Sequence, residues 1–221
     1  MIKGIDISHW QGDIDFKKVA ASGIQFVIIK AGGSDYGFYK DKKFEQNYLE
    51  AKAAGLMVGA YYFVGKKFYG MESGVADAKR FIAMLQGKDI DLPVFVDIET
   101  TDKRFKAEAT DAAIAFCETV KQSGYIAGIY ASDISGFKER LNVEDISKYV
   151  LWVARYNQDP PSYIKDWDLW QYTSKGSVDG ISGSVDLDYY KVRDTKPSDP
   201  KPETSRKSLK KVTKKKKSED K

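Results

Sequence analysis

The sequence predicts an α/β fold, an irregular TIM-like barrel of five βα units followed by three strands with reduced connectors. Three observations predict it. From residue 2 to about residue 140, short apolar runs alternate with amphipathic segments that close on glycine. Beyond about residue 149 the strand-like runs continue, but the connectors between them lose helical period. The runs total eight, enough to close a barrel.

The elements follow in order. Residues 2–7 form an apolar strand with Asp6 at its end, and a loop runs from Ser8 to Gly12. Asp13 or Asp15 caps a helix that buries Phe16, Val19 and Ala20 and stops at Gly23. A strand over 24–31 leads to a helix over about 41–54, with Phe44, Tyr48 and Ala51 on one face. The third strand covers 56–64. The helix after it carries Met71, Val75, Ala78, Ile82 and Leu85, a 4-3-4-3 spacing, and ends at Gly87. The fourth strand, 92–99, is nearly all apolar until Asp97 and Glu99, as in strands buried on both faces. A helix over about 105–123 buries Cys117 among Ala109, Ala113, Phe116 and Val120, and a strand over 125–131 completes the fifth unit. A short helical piece over 134–140 and strands over 149–154, 168–173 and 185–188 finish the series. The 174–184 connection holds three glycines and is too short for a crossover helix, so the eighth strand is expected to run antiparallel to the seventh.

Asp97 and Glu99 stand at i and i+2, so they project from one face of one strand end. Two crowded acids do not lose their protons together, and that asymmetry serves general acid catalysis on a glycosidic bond. Asp-x-Glu is a weak motif by itself, because strand ends meeting solvent carry acids as a matter of course. The predicted barrel adds to it. Barrel active sites lie at the C-terminal strand ends. Asp6 ends strand one, and Asp186 begins an antiparallel strand eight on the same rim. Four carboxylates from three strands therefore converge. Tyr61, Tyr130 and Trp170 lie near strand ends, where a sugar ring stacks or the barrel interior is filled. Gln171 is placed either to bond an acetamido group or to cap its strand. Asp188 shares the strand parity of Asp186 and is its rival, Lys30 is placed to neutralise a rim carboxylate, and His9 is expected to be a structural or subsite residue rather than a catalyst.

Composition limits the chemistry. His9 is the one histidine and Cys117 the one cysteine, so a His-rich zinc site and an internal disulfide are both excluded. No metal and no organic cofactor is expected. Residues 191–221 carry 13 Lys and Arg against 5 Asp and Glu, whereas the rest of the chain is mildly acidic. Residues 1–194 are expected to be the barrel, and 195–221, with Pro197, Pro200, Pro202 and runs of lysine, a disordered tail suited to anionic polymers. No aromatics interleave with those lysines, which argues against nucleic acid. Met1-Ile2-Lys3 leads straight into the first strand with no signal-peptide core, and the run over 55–65 is too short to span a bilayer. Synthesis in the cytoplasm followed by release or export is the expected path.

Three motifs taken together carry a resemblance: Gly4-Ile5-Asp6-Ile7-Ser8-His9-Trp10-Gln11-Gly12, Val96-Asp97-Ile98-Glu99, and Leu169-Trp170-Gln171-Tyr172-Thr173-Ser174-Lys175-Gly176 through to Val185-Asp186-Leu187-Asp188. Over residues 2 to about 190 the chain resembles the lysozymes of glycoside hydrolase family 25. The resemblance implies a barrel of five βα units plus three strands. It also implies an N-acetylmuramidase acting on the β-1,4 bond between N-acetylmuramic acid and N-acetylglucosamine in bacterial peptidoglycan, as many phage endolysins do. Glu99 would be the general acid, with Asp97 its nucleophilic or electrostatic partner and Asp6 and Asp186 completing the rim. The family often has Tyr-His-Phe where this chain has Tyr61-Tyr62-Phe63. A rival reading is a glycan-binding barrel that kept the cleft and lost turnover; the four carboxylates argue against it.

Overall fold

The computed structural model describes residues 1–191. The expected boundary at 194 and the expected disordered tail over 195–221 lie outside the described residues. Five βα units come first: β1 (Ile2–Ile7) with α1 (Phe16–Ala21), β2 (Phe26–Gly33) with the two-residue β3 (Tyr39–Lys40) and α2 (Phe44–Ala53), β4 (Met57–Phe63) with α3 (Gly70–Leu85), β5 (Val94–Asp97) with α4 (Lys106–Gln122), and β6 (Ala127–Ser132) with a π-helical turn (Asp133–Lys138) and the one-turn α5 (Val143–Ile146). Strands β7 (Val150–Ala154), β8 (Leu169–Gly176) and β9 (Val185–Tyr190) follow. Eight strands close into a barrel in the order β1-β9-β8-β7-β6-β5-β4-β2, sealed by parallel pairing of β1 with β2, and β3 is appended to β2. β9 runs antiparallel to both β8 and β1, as the short 174–184 connection requires. The seven other barrel strands run parallel to one another.

Two apolar layers form, one inside the barrel and one between its wall and the helices. Phe26, Ile28, Phe95, Tyr130, Trp152 and Leu169 fill the interior. Glycine makes room for these rings: a Cβ on Gly4 would lie 2.3 Å from the Phe26 ring, and one on Gly128 would lie 2.4 Å from Phe95. The alternate residues of the same strands, such as Ile5, Val27, Val94 and Val153, pack outward with Phe81, Phe116 and Cys117 of α3 and α4. The barrel is thus plugged from its lower end to mid-height by aromatics, and only its upper end is left for polar side chains.

Local structure departs from the sequence reading in three places. The apolar face of α3 is rotated by about one position: Gly74, Ala78, Phe81 and Leu85 are buried, whereas Met71 is 69% exposed. Gly74 lets α4 approach until its missing Cβ would meet the Ala112 carbonyl at 2.1 Å, and Tyr62, Ser34 and Arg80 draw Asp77 inward with hydrogen bonds. Helix α2 begins at Phe44 because the buried Asp41 carboxylate is held by the backbone N–H of Lys43 and by His9. The expected helix over 134–140 is a π-helical turn beginning at Asp133. That carboxylate gathers the helix-free loop after β7, accepting from the Ser162 N–H at 2.9 Å, the Ile164 N–H at 3.0 Å and Arg155 at 3.1 Å. Burial alone would raise the Asp133 pKa, but these donors outweigh it and hold it below the usual range.

Candidate active site

The upper end of the barrel collects carboxyl groups in two sets. The first comes from β5. Asp97 is its last residue, facing the barrel axis beside Tyr130 of β6, and is 4% exposed. Glu99 follows two residues later at the mouth, where it is exposed to solvent on one side. The two side chains lie close enough to act on each other's ionisation, a placement that favours one proton between them. Burial first, and then the charge of Glu99, push the Asp97 pKa well above the ordinary carboxylate value, and Lys30 opposes the shift. Glu99 is also raised, because protein surrounds it on its inner side; its bond to Asp97, Lys30 and Arg140 all pull it back. Asp97 Oδ1 is buried with no hydrogen-bond partner among the described residues.

The second set lies across the seam where the antiparallel strand closes the barrel. Register places Asp6 opposite Asp186, and Asp188 opposite Gly4. Gln171 Nε2 donates to Asp6 Oδ2 at 2.7 Å, and Gln171 Oε1 accepts from the hydroxyls of Tyr130 at 2.7 Å and Tyr156 at 2.9 Å. Trp152 Nε1 donates to Asp188 Oδ1 at 2.7 Å. Asp6 and Asp188 likewise lie close enough to act on each other's ionisation. Burial leads the causes that hold both pKa values well above normal, followed for Asp6 by the charges of Asp188 and Asp186. Asp186 is half-buried, and burial together with the charge of Glu99 raises it to about 6.

The expected site residues divide on this geometry. Asp6, Asp97, Glu99 and Asp186 share one mouth, and their mutual charge effects link the two sets. Tyr61 stands among them, half-buried, edge-on to Trp152 at 6.1 Å, with its pKa raised by burial and by Asp6, Asp97 and Asp186. Tyr130 is 6% exposed and packs on Trp152 at 4.5 Å, so its ring belongs to the barrel floor. Gln171 is spent on Asp6, Tyr130 and Tyr156 and presents no free amide to a ligand. Trp170 does not join the cluster. It points from the opposite side of β8, packs in the outer layer and donates to the Arg155 carbonyl at 2.9 Å. Adjacent strand residues face opposite ways, so Trp170 and Gln171 could not both have lined the same mouth. Lys30 lies over three rings, 4.6 Å from the centroid of Phe63, 5.5 Å from Tyr39 and 6.0 Å from Tyr61, and is the cation nearest the first set. Sequence reasoning missed Trp152 and Tyr156. Strand parity marks Trp152 as inward-facing, whereas nothing in the helix-free loop places Tyr156. Among the described residues no three His, Cys, Asp or Glu side chains are arranged to hold a metal ion.

This arrangement can pass a proton outward from a buried acid to an exposed one while leaving a carboxylate beneath. The family model for glycosyl hydrolases family 25 matches residues 5–181. The chain belongs to glycosyl hydrolases family 25. The family match takes in Asp6, Asp97 and Glu99 and ends before Asp186 and Asp188. Among its relatives, the autolytic lysozyme of Clostridium acetobutylicum is 30% identical over 86% of this chain and 56% of its own length. Lysozyme M1 of Streptomyces globisporus is 32% identical over 84% of this chain and 66% of its own length. The chain thus spans 56–66% of the length of these relatives. The solved CTP1L endolysin superposes with a TM-score of 0.76 at 33% identity, over 87% of this chain and 67% of that one. The family 25 assignment agrees with the closed mixed barrel described above.

Proposed function

We propose that this chain is a peptidoglycan hydrolase, an N-acetylmuramidase that cleaves the β-1,4 bond between N-acetylmuramic acid and N-acetylglucosamine. One observation supports the reading above the others: Asp97 and Glu99 stand together at the barrel mouth, one buried and one open to solvent. Membership of family 25 and likeness to lysozymes and an endolysin supply the substrate class.

In the resting pair Asp97 holds the proton more tightly, since it is the more deeply buried. Transfer along the hydrogen bond to Glu99 does two things at once. It puts an acidic proton where the leaving oxygen of a bound glycan reaches it, and it leaves Asp97 as a carboxylate beneath the positive charge developing at the anomeric carbon. Lys30 favours the charged form of the pair, and the Asp6 set holds the rest of the rim. Digestion of purified peptidoglycan followed by mass analysis of the new reducing ends tests the reading. N-acetylmuramic acid ends are expected; free N-acetylglucosamine ends or released peptide amines would overturn it.

The site of action is the cell wall. The excess of lysine and arginine beyond residue 190 favours adsorption to anionic wall polymers through counterion release. Cutting the chain after Asp194 should leave turnover of small soluble fragments unchanged and reduce sedimentation with whole walls at low salt. Equal sedimentation at every salt concentration would remove the tail from the account. Among the described residues no helix is long and apolar enough to cross a membrane.

A further inference from the structure

We propose that the outer face of the β8–β9 hairpin is a second glycan-binding groove, which takes the substrate chain where it leaves the catalytic mouth. The inference rests on the peptidoglycan reading above. No helix lies between β7 and β9, so among the described residues the outward side of this hairpin lacks the helical cover that the five βα units have. A cavity of about 1140 Å³ runs there between the hairpin and the loop that follows β7. One wall carries aromatic faces: Tyr172 stacks on Tyr189 at 4.6 Å, and Trp170 meets Tyr172 at 5.8 Å. The opposite wall carries exposed Asn157 and Gln158. Aromatic faces interleaved with amides are the chemistry that grips a pyranose, whose C–H face packs on rings while its hydroxyl and acetamido groups need donors and acceptors. A purely apolar partner would leave those amides unmatched.

The groove is continuous with the mouth through one residue. Tyr156 lines the cavity, and its hydroxyl donates to Gln171, which in turn holds Asp6. The charges of Asp186, Asp6 and Glu99 all act on that hydroxyl. A polymer chain leaving the carboxylates over Tyr156 therefore enters the groove directly. The second cavity, lined by Asp13, Lys18 and Gly180 among others, has no such connection and no aromatic wall.

The test is the length dependence of binding. The Glu99→Gln chain, which binds without cutting, is titrated with soluble peptidoglycan glycans from the tetrasaccharide upward. Affinity should rise with length beyond the tetrasaccharide by about three- to tenfold, the worth of one or two ring contacts. Adding Tyr172→Ala should abolish that increment and leave tetrasaccharide affinity unchanged. The paired Asn157→Ala, Gln158→Ala change touches only exposed side chains, so it folds whatever Tyr172→Ala does, and it should reduce the same increment. An increment equal in all three proteins would overturn the groove. Failure of the chain with Glu99 intact to cut any glycan would instead count against the hydrolase reading, and the two failures are read in separate assays.

Discussion

Two carboxyl pairs in this barrel are placed to hold a proton between them, and their surroundings differ. Asp6 and Asp188 sit across the β1–β9 seam, both buried, with Gln171 bonding one and Trp152 the other. Asp97 and Glu99 sit at the end of β5, where Asp97 has little besides its partner and Glu99 meets solvent. The proton of the first pair is locked among fixed donors, and that of the second has a way out. The comparison teaches that closely spaced acids are not by themselves an active site. What singles out Asp97 and Glu99 as the proposed catalytic pair is the asymmetry of burial within it, since a general acid needs both a raised pKa and a path to substrate.

The largest effect that can break this contrast is Glu99→Gln. The amide keeps the shape and cannot give up a proton, so wall lysis should fall by at least the ~10²–10⁴ that general acid catalysis is worth, with the fold retained by circular dichroism. Near-normal lysis by the folded variant would sink the assignment. Asp97→Asn comes next: it removes both the proton partner and the carboxylate under the sugar, and kcat should drop severely with little change in KM. Asp186→Asn is smaller. Removing that neighbouring charge makes Glu99 easier to ionise, so the alkaline limb of kcat/KM should move to lower pH; an unmoved limb would separate Asp186 from the acid.

Much of this contrast was legible in the sequence, and the part that was not has a physical reason. The strand ending in Asp97 and Glu99 announced itself by its apolar run, and the length of the 174–184 connection fixed the direction of β9. Trp170 and Gln171 were read together, although strand parity sends them to opposite sides of the wall. Asp186 ranks above Asp188 in the sequence by motif position alone, because the two share a parity and parity says nothing of depth. Only the register, which sets Asp188 opposite Gly4 and Asp186 opposite Asp6, shows that Asp188 lies deeper, where it acts on Asp6. The inward turn of Asp77 in α3 was hidden because its partners, Tyr62 and Ser34, come from other elements.

The smallest effect concerns the locked pair. Asp6 and Asp188 have folded-state pKa values raised above their unfolded values. Their contribution to stability is therefore fully present below the unfolded carboxylate range and is lost as pH rises through the raised folded values. Asp188→Asn keeps a donor for Asp6 and removes one titration. The pH dependence of its denaturant midpoint, measured from pH 4.5 to 8, should be shallower than that of the unaltered chain. Identical slopes would mean that the pair holds no extra proton.

The central claim is that Asp97 and Glu99 hold one proton between them at the pH of catalysis. Carbon-13 NMR of labelled aspartate and glutamate carboxyls, followed through a pH titration and assigned with Glu99→Gln and Asp97→Asn, measures that directly. The account predicts two coupled steps seen at both carboxyls, the upper one well above the ordinary carboxylate range, and collapse to a single step in either variant. Independent titration of both groups near pH 4 would contradict it.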